Sequence, residues 1–415
     1  MKAKIGIISL GCPRNLVDSE SITGRLSGKG YSIVDLDKAD VAIVNTCAFI
    51  DDAKRESIDV ILDLARLKKE GRLKKIIVYG CLSERYKDEL AGELIGIDAF
   101  VGRLALDHEV NRFPITPGYF AYLKICESCV NSCSYCIIPK IKGKLASLDQ
   151  DSILSKVKLF NEQRISELNI IGQDITGYGL DLYKSPKLDE LLRKIVDAAG
   201  DIGWIRLLYL YPKRITGDLL KIIAQEPKIC KYIDLPIQHI NNRILKLMNR
   251  HTTKEEIASL IGRVRKIIPG VAIRTSVIVG FPSETDKEFE ELLDFTQEAR
   301  FDRLGAFIYS REEGTAAYNL KSQITQKVKE ERLNAMMSSQ QKVSAQLNSH
   351  FLGKTVDVLI EEKEEGRYLG RSQFDAPEVD GSVFVSSKRS LSPGEFVKVK
   401  ITDTLEYDLV GEETR

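Results

Sequence analysis

The sequence predicts an α/β fold in three parts: an open parallel sheet over residues 1–115, a partial (β/α)6 barrel with a trailing helix over residues 116–350, and a small all-β barrel over residues 351–415. Short apolar segments alternate with helical segments through the first two parts, which is typical of parallel sheets. The strand–helix units become longer after residue 119. From residue 351 onward, short strands separated by glycine turns predict a barrel without this alternation.

The first part contains three strand–helix units. Strands are predicted at Lys4–Leu10, Val41–Asn45 and Lys75–Tyr79, and helices at Leu16–Leu26, Asp51–Leu67 and Ser83–Leu94. A cysteine follows each strand: Cys12, Cys47 and Cys81. Because the carboxyl ends of parallel strands share one edge, we expect these three thiols to converge there. The pattern favours a metal site, and the alternative is three buried cysteines that pack as small hydrophobic side chains.

The second part repeats the alternation six times. Strands are predicted at Tyr119–Ile125, Glu167–Ile171, Trp204–Leu210, Tyr232–Leu235, Ala272–Val279 and Leu304–Tyr309, with helices at Ser152–Gln163, Leu188–Ala198, Glu255–Ile267 and Glu284–Ala299. Six units are too few to close an eight-stranded barrel, so a partial barrel is expected, with its active edge at the carboxyl ends of the strands. A polar helix over residues 323–347 leads into the third part.

Cys129, Cys133 and Cys136 form a C-x3-C-x2-C cluster just after the first barrel strand. Three thiolates this close can bind three irons of a [4Fe–4S] cluster and leave the fourth iron open, as in catalytic metal sites. A zinc site is the alternative. Zinc fingers pair two nearby ligands with a second pair downstream, and the later candidates Cys230 and His239 are isolated.

The composition describes an ordinary globular protein, with 43% hydrophobic and 29% charged residues. The net charge of +1 gives no global argument for binding nucleic acid or a membrane. Eight cysteines in 415 residues are too few for a disulfide scaffold and fit metal binding in a reducing compartment. With no apolar run long enough to span a membrane, the protein is expected to be cytoplasmic.

The third part is acidic. Its strands are predicted at Thr355–Ile360, Val383–Val385 and Phe396–Ile401. Residues 351–415 contain nine Lys or Arg and fourteen Asp or Glu, a net charge of −5. The run Glu361–Glu365 is interpreted as a solvated hairpin tip. The charge of the whole part favours a basic polypeptide over a phosphate backbone, which needs Lys and Arg to neutralise it.

The chain resembles the radical S-adenosylmethionine (SAM) methylthiotransferases from end to end. The motifs that carry this resemblance are Gly11–Asn15, Asn45–Cys47, Gly80–Cys81, Cys129–Pro139 and Ile278–Pro282. Ser9–Glu20 and Asp375–Gly381 resemble the branch that modifies an aspartate of ribosomal protein S-twelve (uS12). A sibling branch modifies tRNA adenosines. The resemblance implies an N-terminal methylthiotransferase domain, a radical SAM domain and a C-terminal TRAM domain.

The resemblance also implies the cofactors and their ligands. Cys129, Cys133 and Cys136 would hold the [4Fe–4S] cluster that binds SAM, and Cys12, Cys47 and Cys81 would hold an auxiliary [4Fe–4S] cluster that carries sulfur. Candidate SAM contacts are Tyr135, Gly172, Gln173, Gln238 and Arg274. The expected partners are the basic protein uS12, free or within the small ribosomal subunit, an electron donor and a sulfur source. A third hypothesis is a nonenzymatic metal-binding protein that associates with ribosomes.

Several residues depart from the family or are expected to be structural. Ser128 stands where the family usually has glycine, Ser132 where it has a basic residue, and residues 145–148 where it has an Arg-Ser-Arg-like stretch. These changes affect loop geometry and substrate contacts but remove no ligand. Cys126, Cys230, His239 and Trp204 are expected to be packing residues.

Overall fold

A computed structural model describes residues 2–103 and 112–414. The end of the predicted first part, residues 104–111, lies outside the described residues, as do the two terminal residues. None of the described helices is both long and apolar enough to cross a membrane.

The first part is a five-stranded sheet with the order β2-β1-β3-β4-β5, and all its strand pairs are parallel. The strands are β1 Lys4–Ser9, β2 Ser32–Ile33, β3 Val41–Thr46, β4 Lys75–Gly80 and β5 Ala99–Val101. The helices are α1 Pro13–Gly28, α2 Asp51–Lys69 and α3 Cys81–Glu93. The predicted parallel sheet is confirmed. The two edge strands were missed because they are too short to show a hydrophobic period.

The second part is the predicted partial barrel. Its strands are β6 Phe120–Lys124, β9 Glu167–Ile171, β10 Trp204–Leu207, β11 Tyr232–Asp234, β12 Ala272–Val279 and β13 Arg303–Ile308, with a small ribbon of β7 Cys126–Glu127 and β8 Ala146–Ser147. The six long strands form two parallel three-stranded sheets in chain order, joined by a parallel bridge between Ile205 and Ile229. The barrel is therefore open between its first and last strands.

Helices precede and follow the barrel strands along the chain. They are α4 Ile138–Lys142, α5 Gln150–Glu162, α6 Leu180–Tyr183, α7 Leu188–Ala198, α8 Gly217–Gln225, α9 Asn242–Leu247, α10 Lys254–Ile267, α11 Asp286–Ala299 and α12 Gln326–Asn348. Capping boxes start α10 and α11, where Thr253 pairs with Glu256 and Thr285 with Glu288. Every residue of β6 and β9 is buried, as expected for parallel strands covered on both faces.

The inside of the barrel is filled from both ends of the chain. Phe120, Tyr122 and Trp204 of the barrel pack in one cluster with Val17 of α1 and with Ala376 of the third part. Trp204 is a core residue, as predicted, and its ring contacts Phe396 edge-on at 4.8 Å. The three parts of the chain therefore share this core.

The third part is a closed five-stranded barrel with the order β14-β15-β16-β18-β17. Its strands are β14 Thr355–Glu364, β15 Arg367–Ser372, β16 Val383–Ser386, β17 Phe396–Thr404 and β18 Leu409–Glu413. The sequence interpretation of Glu361–Glu365 needs correction. Strand β14 continues to Glu364, and Glu361 accepts a hydrogen bond from Arg371 at 2.7 Å, so only the end of the acidic run forms the turn.

Buried ion pairs fix this barrel to the radical SAM part. Glu167 accepts hydrogen bonds from Arg206 at 2.7 Å and from Arg371 of β15 at 2.6 Å, and all three side chains are buried. Arg303 donates to Asp375 at 2.9 Å. Because Glu167 and Arg303 begin their strands, the third part is anchored at the amino ends of the barrel strands, away from the expected active edge.

We expect Arg371→Met to destabilise the protein by about 3–5 kcal/mol, because it leaves the buried carboxylate of Glu167 with one partner fewer. The measurement is the free energy of unfolding in urea. Lys398→Ala is the control, since Lys398 pairs with Asp357 at the surface, where both side chains are mostly exposed. That change should cost less than about 1 kcal/mol. Equal losses in the two variants would contradict this role for Arg371.

Candidate metal centre between two thiol trios

The first trio lies at the carboxyl edge of the N-terminal sheet. Cys12 precedes α1, Cys47 follows β3, and Cys81 begins α3. Gly11 has a φ of +87°, and a Cβ atom there would lie 2.7 Å from Cys47 Cβ and 3.0 Å from its Sγ. The loop of Cys12 therefore packs directly against Cys47, as the shared sheet edge predicted.

The side chain of Asn15 connects the three loops that carry this trio. Its Nδ2 donates to the carbonyl of Leu10 at 3.0 Å and to that of Thr46 at 3.2 Å, and its Oδ1 lies 3.9 Å from Cys81 Sγ. Asn45 in turn donates to the Asn15 carbonyl at 2.7 Å. One buried amide thus sets the spacing of all three thiols.

The second trio lies in the loop between β7 and α4. The backbone N–H of Cys136 donates to the carbonyl of Cys133 at 3.1 Å, which closes the turn. Asn131 donates to Cys129 Sγ from its backbone at 3.3 Å and from Nδ2 at 3.1 Å. Asn131 is itself held by Asp174 at 2.9 Å and by Arg214 at 2.9 Å. Hydrogen bonds to sulfur stabilise the thiolate, which is the form that binds metal.

The departure at Ser128 has a structural consequence. Its φ is +63°, in the left-handed region where glycine is favoured. This explains why glycine suits the position before Cys129. Ser128 compensates with its hydroxyl, which donates to the carbonyl of Gly143 at 2.5 Å.

The thiols differ in their electrostatics. Burial raises the pKa of Cys81 and of Cys136 to about 12. Burial opposes ionisation of Cys12 too, but the charge of Arg14 and the nearby backbone N–H groups of Asn15 and Arg14 bring its pKa below the usual value. Since metal ligands must be thiolates, the buried thiols need positive charge close by.

Two cations supply such charge between the trios. Arg14 donates from Nη1 to the carbonyl of Gly172 at 3.0 Å and stacks over the ring of Tyr209 at 4.5 Å. Lys142, 4% exposed as a side chain, pairs with Glu127 at 3.1 Å and Asp18 at 3.5 Å. Asn15, Asn131, Arg14 and Lys142 were not predicted as site residues. Asn15 and Arg14 belong to the Gly11–Asn15 motif, which was the available signal.

Two of the predicted SAM contacts lie beside the second trio. Gly172 follows β9, and a Cβ atom there would lie 2.7 Å from Cys126 Sγ, so only glycine fits. Gln173 has a buried Oε1 that accepts no hydrogen bond from the described residues. An unpaired buried acceptor is suited to a ligand that brings a donor.

The other predicted contacts are more dispersed. Gln238 has a φ of +70° and bridges to Val277 of β12, while Tyr135 packs in a cluster with Phe281. Arg274 pairs with Asp234 at 3.5 Å and with Asp380 of the third part at 3.2 Å. The SAM contacts of Gln238, Tyr135 and Arg274 stay predictions. The guanidinium of Arg274 is already paired with two carboxylates.

The residues expected to be structural are buried. His239 Nε2 lies 2.9 Å from Glu284 Oε1, and both side chains are fully buried. Cys126 and Cys230 are buried free thiols. The other six cysteines are also free, which leaves both trios available to bind metal.

The donor sets fit iron–sulfur clusters. Within residues 2–103 and 112–414, no group of three His, Cys, Asp or Glu side chains is placed so that it could hold a single metal ion. A [4Fe–4S] cluster does not require that arrangement, because each thiolate binds a different iron. Three thiols in each trio, with amide donors and cations beside them, match the chemistry of such a cluster.

Comparison with known proteins identifies the family. Residues 4–102 match "Uncharacterized protein family UPF0004", residues 123–296 match "Radical SAM superfamily", and residues 352–413 match "TRAM domain". A "Ribosomal protein uS12 methylthiotransferase RimO" from Clostridioides difficile is 47% identical over 437 residues, which cover 99% of this chain and 98% of that protein. The chain belongs to the RimO family. A RimO from Geobacter sulfurreducens is 45% identical, covering 99% of this chain and 98% of its own length.

Solved structures support the fold that this RimO-family chain adopts. The radical SAM methyltransferase TsrM from Kitasatospora setae, with cobalamin and a [4Fe-4S] cluster bound, aligns with a TM-score of 0.55. The alignment covers 88% of this chain and 80% of TsrM at 13% identity. A second TsrM structure, with tryptophan substrate and a SAM analogue, gives a TM-score of 0.53 over 74% of this chain and 73% of TsrM, at 14% identity. At this identity the likeness concerns the fold alone.

We expect Asn15→Ala to lose the metal of the first trio, because the loops of Cys12, Cys47 and Cys81 lose their common tie. Iron content after anaerobic reconstitution should fall from about eight to about four per chain. Asn348→Ala is the matched control: Asn348 is also buried, but its amide donates to the carbonyls of Leu405 and Glu406 in the third part. Full iron content in Asn15→Ala would contradict the role of Asn15.

Proposed function

We propose that this chain is a radical SAM enzyme that transfers a methylthio group to the β-carbon of an aspartate in ribosomal protein uS12. The observation that carries the proposal is the presence of two separate thiol trios, each with three rather than four cysteines. One lies at the carboxyl edge of the N-terminal sheet and the other in the loop between β7 and α4. Relatives that match over nearly the whole chain are named uS12 methylthiotransferases.

The proposed target explains why such cofactors are needed. The β-carbon of an aspartate has a nonpolar C–H bond, and removing a proton beside a carboxylate is very costly. General base catalysis supplies only about 10²–10⁴-fold acceleration and cannot overcome this barrier alone. When bound, SAM and the two iron–sulfur clusters supply hydrogen-atom abstraction and delivery of the methylthio group.

The chain's own residues bind and orient these groups. Cys129, Cys133 and Cys136 hold the cluster that binds SAM, and Asn131 donates to the sulfur of Cys129. The backbone of Gly172 and the free Oε1 of Gln173 lie next to this loop and are suited to the polar groups of SAM.

The second trio has a different task. Cys12, Cys47 and Cys81 hold the auxiliary cluster, and Asn15 sets the spacing of their loops. Arg14 and Lys142 offset the negative charge that three thiolates bring into a buried site. Arg14 also donates to the carbonyl of Gly172 at 3.0 Å, so the loop of the first trio contacts the radical SAM part.

The acidic third part supports a protein substrate. Its net charge of −5 attracts a basic polypeptide such as uS12 and repels the phosphates of tRNA. Turnover also requires an electron donor and a source of sulfur, which we propose as partners of the chain.

The division of labour between the trios predicts different losses. Cys133→Ala should abolish SAM cleavage, because the trio that binds SAM is incomplete. Cys47→Ala should retain deoxyadenosine formation but make no methylthio product. Both products can be measured by liquid chromatography and mass spectrometry after anaerobic reconstitution. Cys230→Ala removes a buried thiol outside both trios and should retain both reactions. Methylthio transfer by Cys47→Ala at the wild-type rate would show that the division is wrong.

The substrate is tested by deleting the gene and analysing the two candidate targets by mass spectrometry. We expect uS12 to lose the mass of one methylthio group while tRNA adenosines keep their modifications. Loss confined to tRNA would favour the sibling activity. Zinc in the purified chain with no SAM cleavage under reducing conditions would instead favour a nonenzymatic ribosome-associated protein.

A further inference from the structure

We propose that the loop of residues 310–317, which follows β13, fixes the position of the first thiol trio relative to the second. Arg85 and Glu312 are the positioning residues through which it acts. The inference rests on the proposed function, because it requires the two trios to act in one reaction. The trios belong to different parts of the chain, so their relative position depends on contacts between those parts.

Arg85 ties the first trio to this loop. It lies in α3 four residues after Cys81, which is about one helical turn. Its Nη1 donates at 3.0 Å to the carbonyl of Ala48, the residue that follows Cys47. The same nitrogen donates to Glu312 Oε2 at 2.8 Å. One side chain therefore connects the segments that carry two of the three cysteines to the radical SAM part.

Glu312 is the buried acceptor at the centre of this contact. Its side chain is 2% exposed, and that of Arg85 is 8% exposed. Glu312 also accepts from Lys54 of α2 at 3.0 Å and from the hydroxyl of Ser310 at 2.7 Å. The Nη2 of Arg85 donates to the carbonyl of Glu313 at 2.7 Å. Since a buried carboxylate is costly unless it is paired, this network favours one docking geometry.

The other end of the loop contacts the second trio. The backbone N–H of Ala317 donates at 2.7 Å to the carbonyl of Ser134, in the turn that ends at Cys136. Gly314 has a φ of +81°, and a Cβ atom there would lie 3.3 Å from Cδ1 of Ile137. The loop therefore packs closely against the residues around Cys136.

The loop is short and bonded to itself between these two ends. The carbonyl of Glu312 accepts from the backbone N–H of Thr315 at 3.2 Å and from its hydroxyl at 2.7 Å. Five residues separate Glu312 from Ala317 in the sequence. A displacement at one end is therefore transmitted to the other.

The position of the trios controls one half of the proposed reaction. Deoxyadenosine formation needs the second trio alone, whereas methylthio transfer needs both. Reacting groups must be held in a defined geometry, and a misplacement of about 1 Å can cost about 10²-fold in rate. A displaced first trio therefore lowers the amount of methylthio product formed per deoxyadenosine.

The test uses the full-length chain after anaerobic reconstitution. Arg85→Met and Glu312→Gln remove the two partners singly and together, and Gly314→Ala disturbs the end of the loop beside Ile137. Iron content is measured first, followed by the ratio of methylthio product to deoxyadenosine. Electron paramagnetic resonance of the reduced chain then reports the magnetic interaction between the two clusters, which depends on their separation.

We expect each single variant to keep about eight irons per chain and to form deoxyadenosine. The product ratio should fall about tenfold to a hundredfold, and the interaction between the clusters should weaken. Arg85→Met and Glu312→Gln combined should lose little more than either alone, because the two residues act through one contact. Glu312→Gln keeps the shape of its side chain and serves if Arg85→Met does not fold.

Two control variants separate positioning from other effects. Lys68→Met removes an ion pair of the first part, because Lys68 donates to the carbonyl of Gly96 at 2.9 Å and pairs with Asp98. Arg371→Met destabilises the protein through Glu167, on the amino side of the barrel. Both controls should keep the product ratio and the interaction between the clusters.

Three results would overturn the inference and leave the proposed function intact. These are an unchanged product ratio in Arg85→Met and Glu312→Gln, an equal fall in the two controls, and loss of iron from the first trio in place of a change in the ratio. An unmodified chain that forms deoxyadenosine but no methylthio product on uS12 would instead refute the proposed function, and this inference with it.

Discussion

The buried amide of Asn15 is the contact on which the candidate site depends. Parallel strands bring Cys12, Cys47 and Cys81 to one edge, but a sheet edge alone leaves each loop free to choose its own path. By donating to the carbonyls of Leu10 and Thr46 while facing Cys81, Asn15 joins the three loops into one unit. The fold thus supplies proximity, and one side chain supplies the spacing that a metal cluster needs.

Buried ion pairs fix the junction between the first part and the radical SAM part. Asp18 and Glu127 are surrounded by Lys124 and Lys142, and although burial opposes ionisation, these lysines lower the pKa of Glu127 to about 2. Buried ion pairs contribute little net stability, but breaking one is costly, so they favour a single docking geometry. That geometry places Arg14 beside Gly172 of the radical SAM part.

The third part of the chain is held in place by contacts with the partial barrel. Its segment 375–380 reaches the inside of the partial barrel, where Tyr122 donates to Glu378 at 3.0 Å and Tyr232 donates to Asp380 at 2.6 Å. Together with the pair of Arg303 and Asp375, these contacts fix the segment 375–380 against the barrel.

The parallel sheet, the partial barrel and the small β-barrel could be predicted from hydrophobic periodicity, and the two groups of three cysteines from their spacing, because both are local properties of the chain. The sequence did not determine β2 and β5, which are short edge strands stabilised by their neighbours, nor the strand pairing that gives Glu361 its partner Arg371. The contacts of Asn15, Asn131, Arg14 and Lys142 emerge in the folded chain, because their partners lie on other loops or in another part of the chain. Such contacts depend on how strand ends and domains meet in space, and no periodicity in the sequence records that.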